Sequence, residues 1–187
     1  MAVLIIGAGH AAGQLAASLR MEGYDGAVRI IGDEPYPPYQ RPPLSKQLLS
    51  GEMELEQVYL KPDAFYVDND VELTLGRRVE SIDRAAKSVT LDNGDVVPYD
   101  KLALATGARV RKLTIPGADL DGIYYVRTVD DTLALRDRFS PGGRMVVVGG
   151  GYIGLEVAAA ATKQGMAVTV LEMADRVMNR VVAPEVS

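Results

Sequence analysis

Two glycine clusters, each closing an apolar run, have the spacing that could do chemistry. Gly7-Ala8-Gly9-His10-Ala11-Ala12 follows Val3–Ile6, and Gly149-Gly150-Gly151-Tyr152-Ile153-Gly154 follows Val146–Val148. The first glycine of each, Gly7 or Gly149, permits a tight turn out of a strand. The second, Gly9 or Gly151, has no side chain, so a pyrophosphate can approach the backbone. The third small residue, Ala12 or Gly154, lets a helix pack closely on the strand. Phosphate charge would be met by backbone N–H groups and the positive end of the helix dipole. His10, in the first turn, reads as a loop filler rather than a base.

Each cluster is followed by an acid at a matching distance. After Leu155–Lys163, an Ala-rich helical stretch, the run Val168–Leu171 ends at Glu172, 21 residues beyond Gly151. That is near the spacing of a carboxylate that accepts from an adenosine ribose 2′-hydroxyl and repels a 2′-phosphate. Met173 and Ala174 follow it rather than arginine, which favours NADH over NADPH. Arg176 would reverse this preference if it folded back. After the first helical stretch, Gln14–Met21, the run Val28–Ile31 leads through Gly32 to Asp33. Asp33 is the matching acid, neighbouring Glu34 is the second candidate, and either could instead be a solvated loop acid.

These residues need strand, turn, helix and strand in order to be positioned, and the chain supplies that order twice. The glycine clusters of the two copies start 142 residues apart, too far for a solenoid repeat. The fold class expected is α/β, with two Rossmann-like βαβ nucleotide-binding units and an antiparallel β-meander insertion. The meander is read from Val79–Ile82, Ser88–Leu91 and Val96–Tyr99, with Asp92-Asn93-Gly94-Asp95 as its hairpin turn. Pro35–Pro43 holds five prolines and cannot be regular helix or central strand. Leu44–Leu49, Pro62–Val67 and Asp130–Phe139 read as helices, Lys101–Ala105 as a buried strand, and Ile115-Pro116-Gly117 as a linker. The junction is expected near residues 108–118, dividing a first domain, 1–112, from a second, 113–187. Fifteen residues follow Glu172, too few to finish a doubly wound sheet, so the second domain is expected to be C-terminally truncated.

Composition narrows the class. The chain has 187 residues and a formal net charge of -5, which argues against a nucleic-acid surface. It has no cysteine, which removes disulfides, Cys-based zinc sites and redox dithiols from these residues; no metal site is expected. The start, Met1-Ala2-Val3-Leu4-Ile5-Ile6-Gly7, reads as a buried strand rather than a signal peptide. No apolar run approaches the roughly 18 residues of a membrane helix. A cytoplasmic protein without membrane contact is expected, and no oligomeric state follows.

Gln40-Arg41-Pro42-Pro43-Leu44-Ser45-Lys46 presents a lysine from a rigid, proline-fixed base. By its physics Lys46 is either a surface lysine or a fixed ammonium that would favour electron density at a flavin's N5 and O4 edge. Together with Gly149–Glu156, Leu104–Arg109 and Tyr125–Thr128, this stretch resembles the NADH-dependent ferredoxin reductases of bacterial oxygenase systems, the putidaredoxin reductase and rhodocoxin reductase type. These are FAD-dependent members of the pyridine nucleotide-disulfide oxidoreductase superfamily, with apoptosis-inducing factor a more distant relative.

The resemblance implies FAD contacts by Gly7, Gly9, Ala11, Ala12, Asp33, Arg41, Lys46, Val79, Thr106, Gly107 and Arg127, making 1–112 the FAD-binding domain. It implies NAD(H) contacts by Gly149, Gly151, Tyr152, Ile153, Gly154 and Glu172, making 113–187 the NAD-binding domain. Lys46 would sit beside the isoalloxazine, paired with Glu156; the other reading of Glu156 is a helix acid stabilised by the dipole. The implied reaction takes hydride from NADH to FAD and passes single electrons to a [2Fe-2S] ferredoxin feeding an oxygenase or cytochrome P450. The dithiol branch of the superfamily keeps a cysteine pair that is missing here, so electrons are expected to leave through the flavin edge. Alternatives are an NADH oxidase, the flavin component of a nitrite reductase, or a nucleotide-sensing binding protein like apoptosis-inducing factor.

Overall fold

The computed structural model describes residues 1–187. Its contacts divide the chain into two compact units: Met1–Gln40 with Val58–Ala108, and Arg41–Gln57 with Arg109–Ser187. The change at Ala108/Arg109 falls at the edge of the expected junction. The assignment of Arg41–Gln57 to the later unit is non-local, and no linear division carries it.

The first unit is built on four parallel strands in the order β3-β2-β1-β7. These are β1 (Ala2–Ile6), β2 (Ala27–Gly32), β3 (Val71–Leu75) and β7 (Lys101–Leu104). The alternation of β1 sends Ile5 to one face and Leu4 and Ile6 to the other. Ile5 joins Ala12, Ala16, Val28, Ile30, Tyr66 and Val71 in a core under α1 (His10–Met21) and α3 (Asp63–Asp68). Leu4 and Ile6 join Ile31, Val89, Leu91 and Val97 under an antiparallel meander. That meander is β4 (Val79–Asp83), β5 (Ser88–Leu91) and β6 (Val96–Pro98), turned at Gly94 with φ +87°.

One strand lacks a local signal, and one expectation needs correction. The strand β3 was not foreseen, because Val71-Glu72-Leu73-Thr74-Leu75 follows a short helix with no glycine motif to mark it. And β7 is not a buried strand: it lies at the sheet edge, with Lys101 and Leu104 exposed.

The second unit pairs β8 (Arg144–Val148) with β9 (Ala167–Leu171) in parallel, joined through α5 (Tyr152–Lys163). Val157 and Ala160 of α5 pack with Leu49 and Leu135, and half-buried Met145 and Val147 of β8 join them. The opposite face of the strand pair, Val146, Val148 and Leu171, is exposed. The segment expected as one short helix from Leu44 is a 3-10 turn, Pro42–Ser45, followed by α2 (Gln47–Ser50). Prolines at the start of that turn have no N–H to place, and Lys46 breaks the run with φ -126° and ψ -110°. α4 (Val129–Arg136) begins on a reciprocal capping box: the Asp131 N–H donates to Thr128 Oγ1 (3.1 Å) and the Thr128 N–H to Asp131 Oδ2 (2.9 Å).

Candidate functional site

The carboxyl edge of the first sheet gathers four loops. Ile6 pairs with Ile31 on one side and Leu104 on the other, so Gly7–Gly9, Asp33 and Thr106-Gly107 all leave the same edge. Gly76–Arg78 leaves it beyond β3. The strand order reverses across β1, and the crevice outside such a reversal is where open α/β sheets take ligands. Gly7 has φ +104°, and a Cβ on it would lie 2.3 Å from the Ala105 carbonyl oxygen. Its N–H donates to the Ile31 carbonyl at 2.7 Å. Gly9 caps α1 in extended conformation with no side chain bonded to the helix end, and a Cβ there would meet nothing within 4 Å. The helix end therefore carries no side-chain cap, and the Ala12 N–H turns back to the Gly9 carbonyl at 3.1 Å.

At this edge Asp33 is exposed, with Arg78 3.5 Å away. Glu34, the second candidate, is half-buried and accepts a hydrogen bond from the buried Tyr39 hydroxyl at 2.5 Å. Asp33 is the carboxylate that projects outward. Ala12 is fully buried on the inner face of α1, and Ala11 is exposed beside it. Val79 is half-buried at the bulge that opens β4.

The second turn repeats the first almost angle for angle. Gly149 has φ +109°, and its N–H donates to the Leu171 carbonyl at 2.8 Å. Gly151 caps α5 in extended conformation, again without a side-chain cap and with nothing within 4 Å of a would-be Cβ. A Cβ on Gly154 would lie 2.0 Å from the Gly149 carbonyl oxygen, the close helix–strand approach expected of the third position. Tyr152 and Ile153 are exposed in the first turn of α5. Glu172 stands at the end of β9 and accepts from Gly150 N–H (2.7 Å) and Ala174 N–H (2.9 Å). These two backbone bonds, led by Ala174, hold its carboxyl below the usual range, and the charge of Arg180 adds to them. Arg176 does not fold back on it, because its guanidinium donates to the carbonyls of Val182 and Asn179. A cavity of about 490 Å³ opens beside this turn, lined by Gly151, Tyr152, Glu172, Met173, Asn179 and Arg180 among others. The helix ends without side-chain caps, the bare Gly9 and Gly151 and the terminal acids fit a dinucleotide at each turn, although in the second Glu172 itself occupies the Gly150 N–H.

A third constellation lies inside the second unit. Lys46 Nζ sits 2.9 Å from Glu156 Oε1, with the lysine 43% and the glutamate 27% exposed. Ser45, at 5% exposure, donates its hydroxyl to Glu156 Oε2 at 2.6 Å. Partial burial pushes the Glu156 carboxyl up, but the bonds from Ser45 and Lys46 and the ammonium charge outweigh it and hold it below its ordinary value. Such half-exposed ion pairs contribute only about 0.2–1 kcal/mol. Their use here is to fix a charge in place rather than to stabilise the fold. The proline turn is fastened from behind: Arg41 donates to the Arg127 carbonyl, and buried Thr132 donates to the Leu44 carbonyl at 3.1 Å.

The expected site residues thus fall into two groups. Gly7, Gly9, Ala11, Ala12, Asp33, Val79, Thr106 and Gly107 belong to the first unit. Arg41, Lys46, Arg127, Gly149, Gly151, Tyr152, Ile153, Gly154, Glu156 and Glu172 belong to the second. Sequence reasoning left Ser45, Thr132 and Arg180 without a role. The partners of Ser45 and Thr132 are 111 and 88 residues away, so no local pattern could have signalled them.

The pyridine nucleotide-disulphide oxidoreductase family model matches residues 1–187. The chain is 45% identical to rhodocoxin reductase of Rhodococcus erythropolis over 187 residues, covering all of this chain and 44% of that protein. It is 46% identical over 184 residues to rubredoxin-NAD(+) reductase of Pseudomonas putida, covering 98% of this chain and 48% of the relative. The chain therefore spans about half the length of these curated relatives. Its fold matches the crystal structure of the ferredoxin reductase for the CYP199A2 system from Rhodopseudomonas palustris, with a TM-score of 0.94 and 46% identity, over 100% of this chain and 46% of that one. It matches the covalent putidaredoxin reductase-putidaredoxin complex equally well, with a TM-score of 0.94 and 40% identity, over 99% of this chain and 45% of that one. No helix is long and apolar enough to cross a membrane. A twice-used glycine turn with an uncapped helix end and a terminal acid, in a chain matched from end to end by one family model, has one reading: the chain belongs to the pyridine nucleotide-disulphide oxidoreductase family, alongside its ferredoxin and rubredoxin reductases.

Proposed function

We propose that the protein carrying this chain is an FAD-dependent NADH:ferredoxin oxidoreductase. The observation that carries the reading is the pair of matched turns, Gly7–Gly9 and Gly149–Gly151, each with uncapped helix amides and an acid at the next strand end. The first turn, with Asp33, Thr106 and Gly107, is assigned to FAD. The second, with Glu172, is assigned to NADH. When bound, these cofactors supply hydride transfer followed by release of single electrons, and the iron–sulfur acceptor is assigned as a [2Fe-2S] ferredoxin serving an oxygenase or cytochrome P450. The names of the relatives, which include a biphenyl dioxygenase ferredoxin reductase component, support that acceptor class.

The protein's own part is alignment and charge, with no group acting as acid, base or nucleophile in the hydride step. Backbone amides at Gly9–Ala11 and Gly151–Ile153 bind the two pyrophosphates. Glu172 accepts from the adenosine ribose and disfavours a 2′-phosphate. Lys46, held by Glu156, is the cation assigned to the flavin, and Arg41 and Arg127 are assigned to the same cofactor.

The test is purification of the full-length protein, an absorbance spectrum for bound FAD, and anaerobic titration with NADH. Bleaching of the flavin by NADH, and cytochrome c reduction that depends on added [2Fe-2S] ferredoxin, are expected. Absence of flavin, reduction by NADPH alone, or peroxide formation unaffected by ferredoxin would overturn the assignment.

A further inference from the structure

A lysine ammonium on four rotatable bonds is a poor fixed charge, and a single half-exposed carboxylate does little to hold it. The geometry around Lys46 closes that gap. Lys46 Nζ takes Glu156 Oε1 at 2.9 Å while the hydroxyl of the preceding residue, Ser45, donates to Oε2 at 2.6 Å. Adjacent residues thus grip both oxygens of one carboxylate, closing a ring through their shared backbone. The Ser45 end is anchored: Ser45 is buried, and the Leu44 carbonyl before it accepts from fully buried Thr132. Of the other cations near α5, Arg136 of α4 reaches the Leu48 carbonyl at 3.5 Å, and Lys163 pairs with Glu52. Lys46 is the cation whose charge acts on Glu156.

We propose that Ser45 is a positioning residue that orients the Glu156 carboxylate and, through it, fixes the Lys46 ammonium. The function of Lys46 toward a flavin rests on the reading above; the grip itself does not.

Both are testable in the full-length protein. In its FAD-free form, Lys46 acylation by an N-hydroxysuccinimide ester is read by mass spectrometry against the other lysines. Ser45→Ala is expected to raise Lys46 labelling by about two- to fivefold, the range that loosening a half-exposed ion pair can supply. Ser45→Thr, which keeps the hydroxyl, restores the wild-type rate. In the FAD-loaded protein, losing a donor to ionised Glu156 lets that carboxyl protonate at higher pH. The acid limb of flavin reduction by NADH is then expected to move up by about one pH unit in Ser45→Ala and to return in Ser45→Thr. Unchanged labelling together with an unchanged acid limb in Ser45→Ala would overturn the proposal. If Ser45→Ala does not fold, Ser45→Cys, whose thiol is a weak donor, carries the same expectation, and wild-type labelling in it counts against the grip. Failure of the wild-type protein to take up FAD or to react with NADH would sink the proposed function instead, and labelling would still decide the role of Ser45.

Discussion

Gly7 and Gly9 stand two residues apart in one turn, and the structure assigns them different responses to the same substitution. A Cβ on Gly7 would lie 2.3 Å from the Ala105 oxygen and 2.6 Å from its carbonyl carbon, where real contacts essentially never fall below 3.0 Å. Relief therefore needs Ala105, just after β7, to retreat by at least 0.7 Å (3.0 less 2.3), straining the 2.7 Å bond from Ala105 N–H to the Ile6 carbonyl. Overpacking of this kind costs about 1–3 kcal/mol. The φ of +104° costs alanine about 1–3 kcal/mol more. Gly7→Ala is expected to lose at least about 2 kcal/mol, a large share of the roughly 5–15 kcal/mol that holds a typical protein folded. Gly9, at φ -89° with nothing within 4 Å, already has a conformation open to alanine. Gly9→Ala is expected to change the stability of the FAD-free protein by less than about 1 kcal/mol, because the freedom lost by the unfolded chain is offset by alanine's poorer fit at a helix N-cap. Its new methyl stands where a pyrophosphate would approach, and FAD affinity is expected to fall at least about tenfold, or 1.4 kcal/mol. Urea denaturation followed by far-UV circular dichroism reads the first quantity, and quenching of flavin fluorescence on titration reads the second. A Gly7→Ala protein with the wild-type midpoint, or a Gly9→Ala protein that binds FAD undiminished, would refute the reasoning.

Lys46→Met removes the gripped ammonium and is expected to slow flavin reduction by NADH roughly tenfold to hundredfold in stopped-flow traces; an unchanged rate would remove its assigned role. Glu172→Gln is expected to narrow the preference for NADH over NADPH by about tenfold or more, measured as a ratio of kcat/KM values, because the residue no longer repels a 2′-phosphate. Tyr66 is buried, its hydroxyl meets no protein partner, and burial followed by the charge of Asp63 pushes it up to about 12. Tyr66→Phe is expected to stabilise the fold by about 1 kcal/mol in urea melts. Tyr66 ionises less readily when folded than when unfolded, so its share of stability is full below pH 10 and is lost as pH rises toward 12. The wild type should therefore lose stability over that window faster than Tyr66→Phe does.

The amino-acid order alone determined the repeated unit, and for a local reason. A glycine that must turn, a glycine that must be bare and an acid at the next strand end all act within about thirty residues, so their spacing is readable. The strands of the meander announced themselves as short runs around the Asn93-Gly94 turn. Tertiary structure decided what depends on distant pairing. It put Leu104 at a sheet edge, although Lys101–Ala105 reads as a buried run. It left Asp33 pointing outward while Glu34 was taken by Tyr39, a choice two adjacent acids cannot make by themselves. It grouped Arg41–Gln57 with the later unit and joined Ser45 and Lys46 to Glu156 across more than a hundred residues. Backbone turns are written locally because φ and sterics act on neighbours. The place of a charge depends on which remote carboxylate and hydroxyl the folded chain brings to it.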